Sequence, residues 1–270
     1  MTAKSFMEKH GLLDREEYLK RQQENLGEAE LVRYPLEKLE FNRRSNPLNV
    51  LVVSVNNLRA DALNATDMPN TFQFSTENLS FNNHFSSSND SNGVFGLLYG
   101  LPTSYASSIK AQQSLPIVLE TLKDNDYQIG LFSGDNFSDP LYSDIVFNGL
   151  EVTTVTEDAT DSGDRKAIQA WSQWATEQGN QPWFSFIELT TLDDFSDYDS
   201  KSGNAVADLK ANYRQSVNSA DHELATLYQQ INELGLSDST VIVITSNHGT
   251  EFNETRTNSW AQAPTTAATN

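Results

Sequence analysis

Apolar residues are arranged in two ways along this chain. Short unbroken runs alternate with longer stretches in which apolar positions recur every three or four residues. Val50–Val55 (Val-Leu-Val-Val-Ser-Val) and Val241–Thr245 (Val-Ile-Val-Ile-Thr) are β-branched runs of the kind buried on both faces inside a parallel sheet. Tyr127–Ser133 and Trp183–Leu189 read as further strands, and Leu79–His84 and Gly149–Val155 as shorter ones. Helical spacing predicts elements over Met68–Glu77, with Pro69 in its first turn, and over Leu115–Lys123. Gly93–Gly100 reads as a helix or turn, and Arg165–Gln178 as a helix whose Trp171 and Trp174 are core residues. The longest periodic stretch, Val206–Leu234, carries Leu209, Tyr213, Val217, Leu224, Leu227 and Ile231 on one stripe, and Gly235 closes it. This alternation predicts an α/β fold: a doubly wound, mostly parallel sheet with helices on both faces.

Outside the α/β stretch the pattern changes. Residues 1–46 have only weak helical periodicity, with Arg43-Arg44 near their end, and read as a separate helical linker. The α/β domain runs over 47–249. Residues 250–270 have no apolar period and finish Ala-Pro-Thr-Thr-Ala-Ala-Thr-Asn, which reads as an irregular tail to a domain whose C-terminal part is truncated.

Charge narrows the function classes. The chain has 270 residues and a formal net charge of −19. Residues 1–46 hold nine basic and nine acidic residues, so the acidic excess lies entirely in the remainder. Such a body does not bind nucleic acid by phosphate neutralisation, and an anionic membrane surface repels it. Contact with acidic lipid is therefore expected through the first segment. No run of 18 apolar residues is present, so the chain predicts no transmembrane helix. Cysteine is absent, which excludes disulfides and thiolate metal sites.

Two of the buried strands end in polar clusters, Asn56-Asn57 and Asn247-His248-Gly249. In an open α/β sheet, ligands bind outside the carboxyl ends of the strands. Asn is also a common turn residue, so each cluster alone has a plain turn reading. Between them lies the loop Ser86-Ser87-Ser88-Asn89-Asp90-Ser91-Asn92, ahead of an apolar helix whose exposed amides would suit an anion. Three such clusters, one bearing a hydroxyl, suggest a metal-assisted phosphate or sulfate ester site. The acidic loop 193–199 lacks the spaced pattern of a calcium loop and reads as solvated.

Leu48-Asn-Val-Leu-Val-Val-Ser-Val-Asn-Asn-Leu-Arg59 together with Asp238-Ser-Thr-Val-Ile-Val-Ile-Thr-Ser-Asn-His-Gly249 resembles the frame of the sulfatase/alkaline phosphatase superfamily. Met1-Thr-Ala-Lys-Ser-Phe-Met-Glu-Lys-His-Gly-Leu-Leu-Asp14, His84-Phe-Ser-Ser87, Gly93-Val-Phe-Gly-Leu-Leu-Tyr-Gly100 and Gly130-Leu-Phe-Ser133 resemble, more narrowly, the YejM/PbgA-type family of Gram-negative inner-membrane proteins. That resemblance implies a sulfatase-like domain on the periplasmic face of the inner membrane, which follows five transmembrane helices in family members. It also implies a role in lipopolysaccharide sensing and outer-membrane lipid homeostasis, with the adaptor LapB as a partner of the full-length proteins.

In active superfamily members, acids after the first strand and an Asp-His pair after the late strand hold a divalent metal, and a Ser, Thr or modified Cys at a helix start is the nucleophile. Carried onto this chain, the metal positions are Asn56, Asn57, Asp90, Asn247 and His248. The nucleophile position falls at Asp90 or Ser91, with Ser91 the catalytic candidate. Asn supplies only a neutral oxygen where a hard cation wants an anionic one, so Mg²⁺ or Mn²⁺ is expected weakly, and the expectation is a catalytically degenerate domain. The lipid A or anionic phospholipid site of the family falls on Thr2, Ala3, Lys4, Ser5 and Phe6, where Ser5 replaces one of two basic residues. Two other readings stand beside this one: a metal-dependent phosphatase or sulfatase, and a non-functional gene fragment.

Overall fold

The computed structural model describes residues 32–40, 46–156, 162–193, 195, 205–252, 254 and 260–261. Four strands form one parallel sheet in the order β2-β3-β1-β4. They are β1 (Asn49–Val55), β2 (Gln128–Ser133), β3 (Trp183–Leu189) and β4 (Thr240–Thr245). The helices are α1 (Pro69–Glu77), α2 (Asp90–Tyr99), α3 (Ala106–Gln112), α4 (Ile117–Asp124), α5 (Gly163–Glu177) and α6 (Ala205–Glu233). The doubly wound, mostly parallel sheet expected from the alternation is the observed architecture.

β3 is buried along its whole length, which is why its sequence reads as a run without alternation. Its one hydroxyl, Ser185 Oγ, accepts a hydrogen bond from Trp171 Nε1 at 2.9 Å, so the polar atom is satisfied inside the core. α5 begins at Ser162, whose side chain accepts from Arg165 N. It then buries Ala167, Ile168, Trp171 and Ala175 against the sheet. Along α6, Tyr213, Val217, Ala220, Leu224, Leu227 and Ile231 are all buried in the same core as Leu51, Val53, Val55, Ile187 and Leu189. α1 lies against α6, where the Asp221 carboxylate accepts from Asn70 N and Thr71 N at 3.0 and 2.8 Å and so caps α1 from a neighbouring helix. The opposite sheet face is covered over β2 and β3 by an aromatic group in which Phe137 and Phe147 meet Phe186.

Three expectations are corrected. Leu79–His84 is irregular, with a bend at Asn82, and is not a strand, because no described strand lies beside it to pair with; Leu79 and Phe81 are exposed. Gly149–Val155 is irregular: Thr153 N donates to Leu131 O, and Val155 is bracketed by the Asn136 side chain, so these bonds take the place of a ladder. In the stretch read as an irregular tail, β5 (Glu251–Phe252) pairs antiparallel with β6 (Trp260–Ala261), and Phe252 enters the core beside Tyr213 and Phe195. Residues 1–31, and with them Thr2, Ala3, Lys4, Ser5 and Phe6, lie outside the described residues.

Candidate functional site

The site is built where β1, β4 and α2 end or begin. β1 continues its ladder one residue further, with Asn56 N donating to Leu189 O at 2.9 Å. The chain then turns at Asn57 with φ 59°, a left-handed conformation that Asn tolerates better than most residues. Tyr213 Oη fixes the turn by donating to Asn57 O at 2.9 Å. β4 leaves the sheet beside it, and Ser246 Oγ donates to Val55 O at 2.7 Å. α2 approaches this exit closely at Gly93, where a Cβ would lie 2.2 Å from Asn247 O. Glycine is required there because backbone meets backbone.

These contacts bring five of the six candidate residues together. Asn247 Nδ2 donates to Asn56 Oδ1 at 2.6 Å. Asn56 Nδ2 and Asn57 Nδ2 donate to the two oxygens of Asp193, at 3.2 and 2.6 Å. His248 Nε2 lies 2.9 Å from Asn57 Oδ1, and Asp90 N donates to His248 Nδ1 at 3.1 Å. Burial pushes His248 down to about 4, so the ring is neutral at pH 7. Because Nδ1 accepts from Asp90, the single proton sits on Nε2 and is donated to Asn57. The 3.5 Å approach of Asp90 to His248 is therefore not a salt bridge at neutral pH. Asn247 Oδ1 also stands 2.8 Å from Nδ1, which places two lone-pair groups side by side.

Ser91 is the sixth candidate, and it turns away. It is buried, and its Oγ donates to Asp139 Oδ2 at 2.8 Å. Asp90 is the residue at the helix start that faces His248. Burial and the nearby Asp139 raise the Asp90 carboxyl above its ordinary range, and its φ of 48° is a strained value for a non-glycine residue.

Two acids at the site carry no legible signal in the sequence. Asp193 belongs to the acidic loop read as solvated, yet it clamps both Asn side chains, and burial lifts it to about 6 against the pull of their N–H groups. Its loop is anchored by the buried Asp164, which accepts from Thr190 N and Thr191 N at 2.7 and 2.9 Å. Glu188 sits inside the apolar run of β3. It takes part in a polar row across the carboxyl ends of all four strands, with Ser133 and Ser54 as its register partners and Thr245 beyond Ser54. Tyr142 Oη donates to Glu188 Oε1 at 2.7 Å, while burial pushes the acid up to about 8. Among the described residues, no group of three His, Cys, Asp or Glu is placed to hold a metal ion.

Residues 48–268 match the sulfatase family model. An uncharacterized protein of Haemophilus influenzae is 32% identical over 258 residues, covering 94% of this chain and 40% of that protein. The inner membrane protein YejM of Salmonella typhimurium is 32% identical over 255 residues, covering 92% of this chain and 41% of that protein. The chain thus spans about two fifths of the length of these curated relatives. Among solved structures, the lipoteichoic acid synthase LtaP of Listeria monocytogenes superposes with a TM-score of 0.62 at 16% identity, over 78% of this chain and 58% of that one. The soluble domain of lipooligosaccharide phosphoethanolamine transferase A from Neisseria meningitidis gives 0.62 at 15% identity, over 84% of this chain and 76% of that one. At such identities the likeness to solved structures shows the fold. No helix among the described residues is long and apolar enough to cross a membrane, although the YejM relatives are inner membrane proteins.

Proposed function

The chain belongs to the sulfatase family, and we propose that within it this is a catalytically degenerate, YejM-type domain that recognises lipid instead of hydrolysing an ester. It works at the periplasmic face of the inner membrane in lipopolysaccharide sensing and outer-membrane lipid homeostasis. Lipid A, or an anionic phospholipid, is taken by Thr2, Ala3, Lys4, Ser5 and Phe6. Lys4 meets a phosphate and Phe6 enters the acyl region. LapB is the protein partner of the full-length assembly.

The observation that carries the loss of catalysis is the amide pair itself. By the resemblance to the superfamily, Asn56 and Asn247 fall at positions that hold metal-binding carboxylates in its active members, and here they hydrogen-bond each other at 2.6 Å. Asn56 Oδ1 is thereby occupied, and Asn56 Nδ2 and Asn57 Nδ2 turn their N–H groups to Asp193. A hard divalent cation wants several oxygens, with carboxylates prominent among them. The acids at the site are Asp90, Asp193, which is taken up by the Asn56 and Asn57 N–H groups, and Glu188, which burial holds protonated, and among the described residues no three of them converge, so the residues present do not fit Mg²⁺ or Mn²⁺.

The hydrolase reading has one observation in its favour: Asn247 Oδ1 stands 2.8 Å from His248 Nδ1, so a neutral oxygen and an imidazole are gathered beside Asp90. Calorimetric titration with Mn²⁺ and Mg²⁺ separates the two. The wild-type chain is expected to take up neither ion at micromolar concentration, and the Asn56→Asp, Asn247→Asp double variant to gain a single Mn²⁺ site. Tight one-site binding by the wild type would overturn the degenerate reading. For the lipid side, Lys4→Ala and Phe6→Ala are expected to weaken retention on lipid A vesicles, and unchanged retention removes the segment from the proposal.

A further inference from the structure

The dipeptide Asn-Gly occurs twice in this chain, at Asn92-Gly93 and Asn148-Gly149. In such a pair the backbone nitrogen of the second residue can attack the side-chain carbonyl carbon of the first. Glycine, which lacks a Cβ and turns freely, leaves that approach open. The two pairs share this chemistry and differ in their surroundings.

Asn92-Gly93 lies within α2. Gly93 N donates to Asn89 O at 3.0 Å, so the nucleophilic nitrogen is tied into the helix. Gly93 is buried, and a Cβ on it would lie 2.2 Å from Asn247 O, so its backbone has no room to turn.

Asn148-Gly149 is the centre of a β-turn, closed by Leu150 N donating to Phe147 O at 2.9 Å. Gly149 has φ 72° and Asn148 does not share the positive sign, the pattern of a type II turn with glycine in its third position. Gly149 is exposed, and a Cβ on it would meet nothing within 4 Å. Among the described residues, neither Gly149 N nor the Asn148 side-chain amide has a hydrogen-bond partner. Nucleophile and electrophile are neighbours, and neither is engaged elsewhere.

The turn hangs from the aromatic cover of β3. Phe147 is buried, and its ring stacks on Tyr142 at 5.5 Å and meets Phe137 and Phe186 at 5.0 and 5.9 Å. Tyr142 in turn donates to Glu188 in the candidate site.

We propose that Asn148 is a modification site, converted to aspartate and isoaspartate while the protein is folded, and that the isoaspartate form loosens the aromatic cover over β3. Gly149 N bonds to Asn148 Cγ, the Cγ–Nδ2 bond breaks, and ammonia leaves with the proton that Gly149 N gives up. Water then opens the succinimide at either carbonyl and returns a proton to Gly149 N. Opening at Cγ gives aspartate. Opening at the main-chain carbonyl leaves the backbone running through Cβ and Cγ, which is isoaspartate. Either product adds a negative charge to a chain already at −19. Isoaspartate also lengthens the main chain inside the turn, so Leu150 N cannot keep its bond to Phe147 O while Phe147 keeps its packing.

The test ages the 270-residue chain at neutral pH, folded and in urea, and follows both Asn-Gly pairs by peptide mass mapping. In the folded protein, conversion at Asn148 is expected to outpace Asn92 by about tenfold or more, because Asn92 waits on local opening of α2. In urea the two rates are expected to converge. The aged protein is expected to melt at a lower temperature than the fresh protein. Asn148→Gln, whose longer side chain closes the ring poorly, is expected to hold its melting temperature through the same ageing. Equal rates at the two sites in the folded protein, or conversion of Asn148 only in urea, would overturn the modification site. An aged protein converted to isoaspartate that melts like the fresh one would overturn the effect on the aromatic cover.

Discussion

Glu188 is an acid held neutral inside the sheet, and replacing it by Gln should change how stability responds to pH. Its carboxyl is buried, accepts from Tyr142 Oη at 2.7 Å and at longer range from Asn247 Nδ2 at 3.5 Å, and is pushed up to about 8 from an ordinary 4.5. A raised folded-state value means that the native protein holds the proton more tightly than the unfolded chain does. The group's contribution is therefore fully present below about pH 4.5 and is lost as pH rises to about 8. The slope is roughly 1.4 kcal/mol per pH unit within that window, on the order of 5 kcal/mol in total. Glu188→Gln has nearly the shape of the protonated acid and cannot ionise. The assay is urea unfolding of wild type and variant side by side between pH 5 and pH 9. The stability difference in favour of Gln is expected to widen steadily up to about pH 8 and then level off. Asp90, Asp164 and Asp193 are also raised and give wild type and variant a common background trend, so only the difference reports Glu188. A difference that stays constant from pH 5 to 9 would refute the reasoning, because it would mean that the acid is already ionised in the native state.

Two further outcomes follow from the site. Asp193→Ala leaves Asn56 Nδ2 and Asn57 Nδ2 without their acceptor, and each unsatisfied buried amide costs about 1–3 kcal/mol; chemical denaturation should register a loss of at least the lower figure, and an unchanged midpoint would show that the clamp is not formed. Gly93→Ala places a Cβ 2.2 Å from Asn247 O, where only backbone movement relieves the overlap. A loss of about 1–3 kcal/mol is expected from such overpacking, and a melting temperature equal to wild type would contradict the close approach of α2 to the β4 exit.

The sequence by itself determined the layers. β3 is buried along its whole length and β1 over most of its own, and such burial suppresses alternation and leaves apolar runs that stand out from their surroundings. α6 was legible because one face of a long helix must be apolar where it meets a sheet. The polar clusters at Asn56-Asn57 and Asn247-His248 were visible because each interrupts such a run. Tertiary structure decided the rest. Ser91 and Asp90 are adjacent, and only the angle at which α2 meets the β4 exit turns the hydroxyl toward Asp139 and the aspartate toward His248. Asp193 looked like one acid among many, since a solvated loop and a clamped one have the same composition; its role comes from Asp164 holding the loop against the ends of β1 and β3. Leu79–His84 has the alternation of a strand without the strand, because pattern sets which side chains share a face, whereas a ladder needs a partner whose position is fixed by the whole fold.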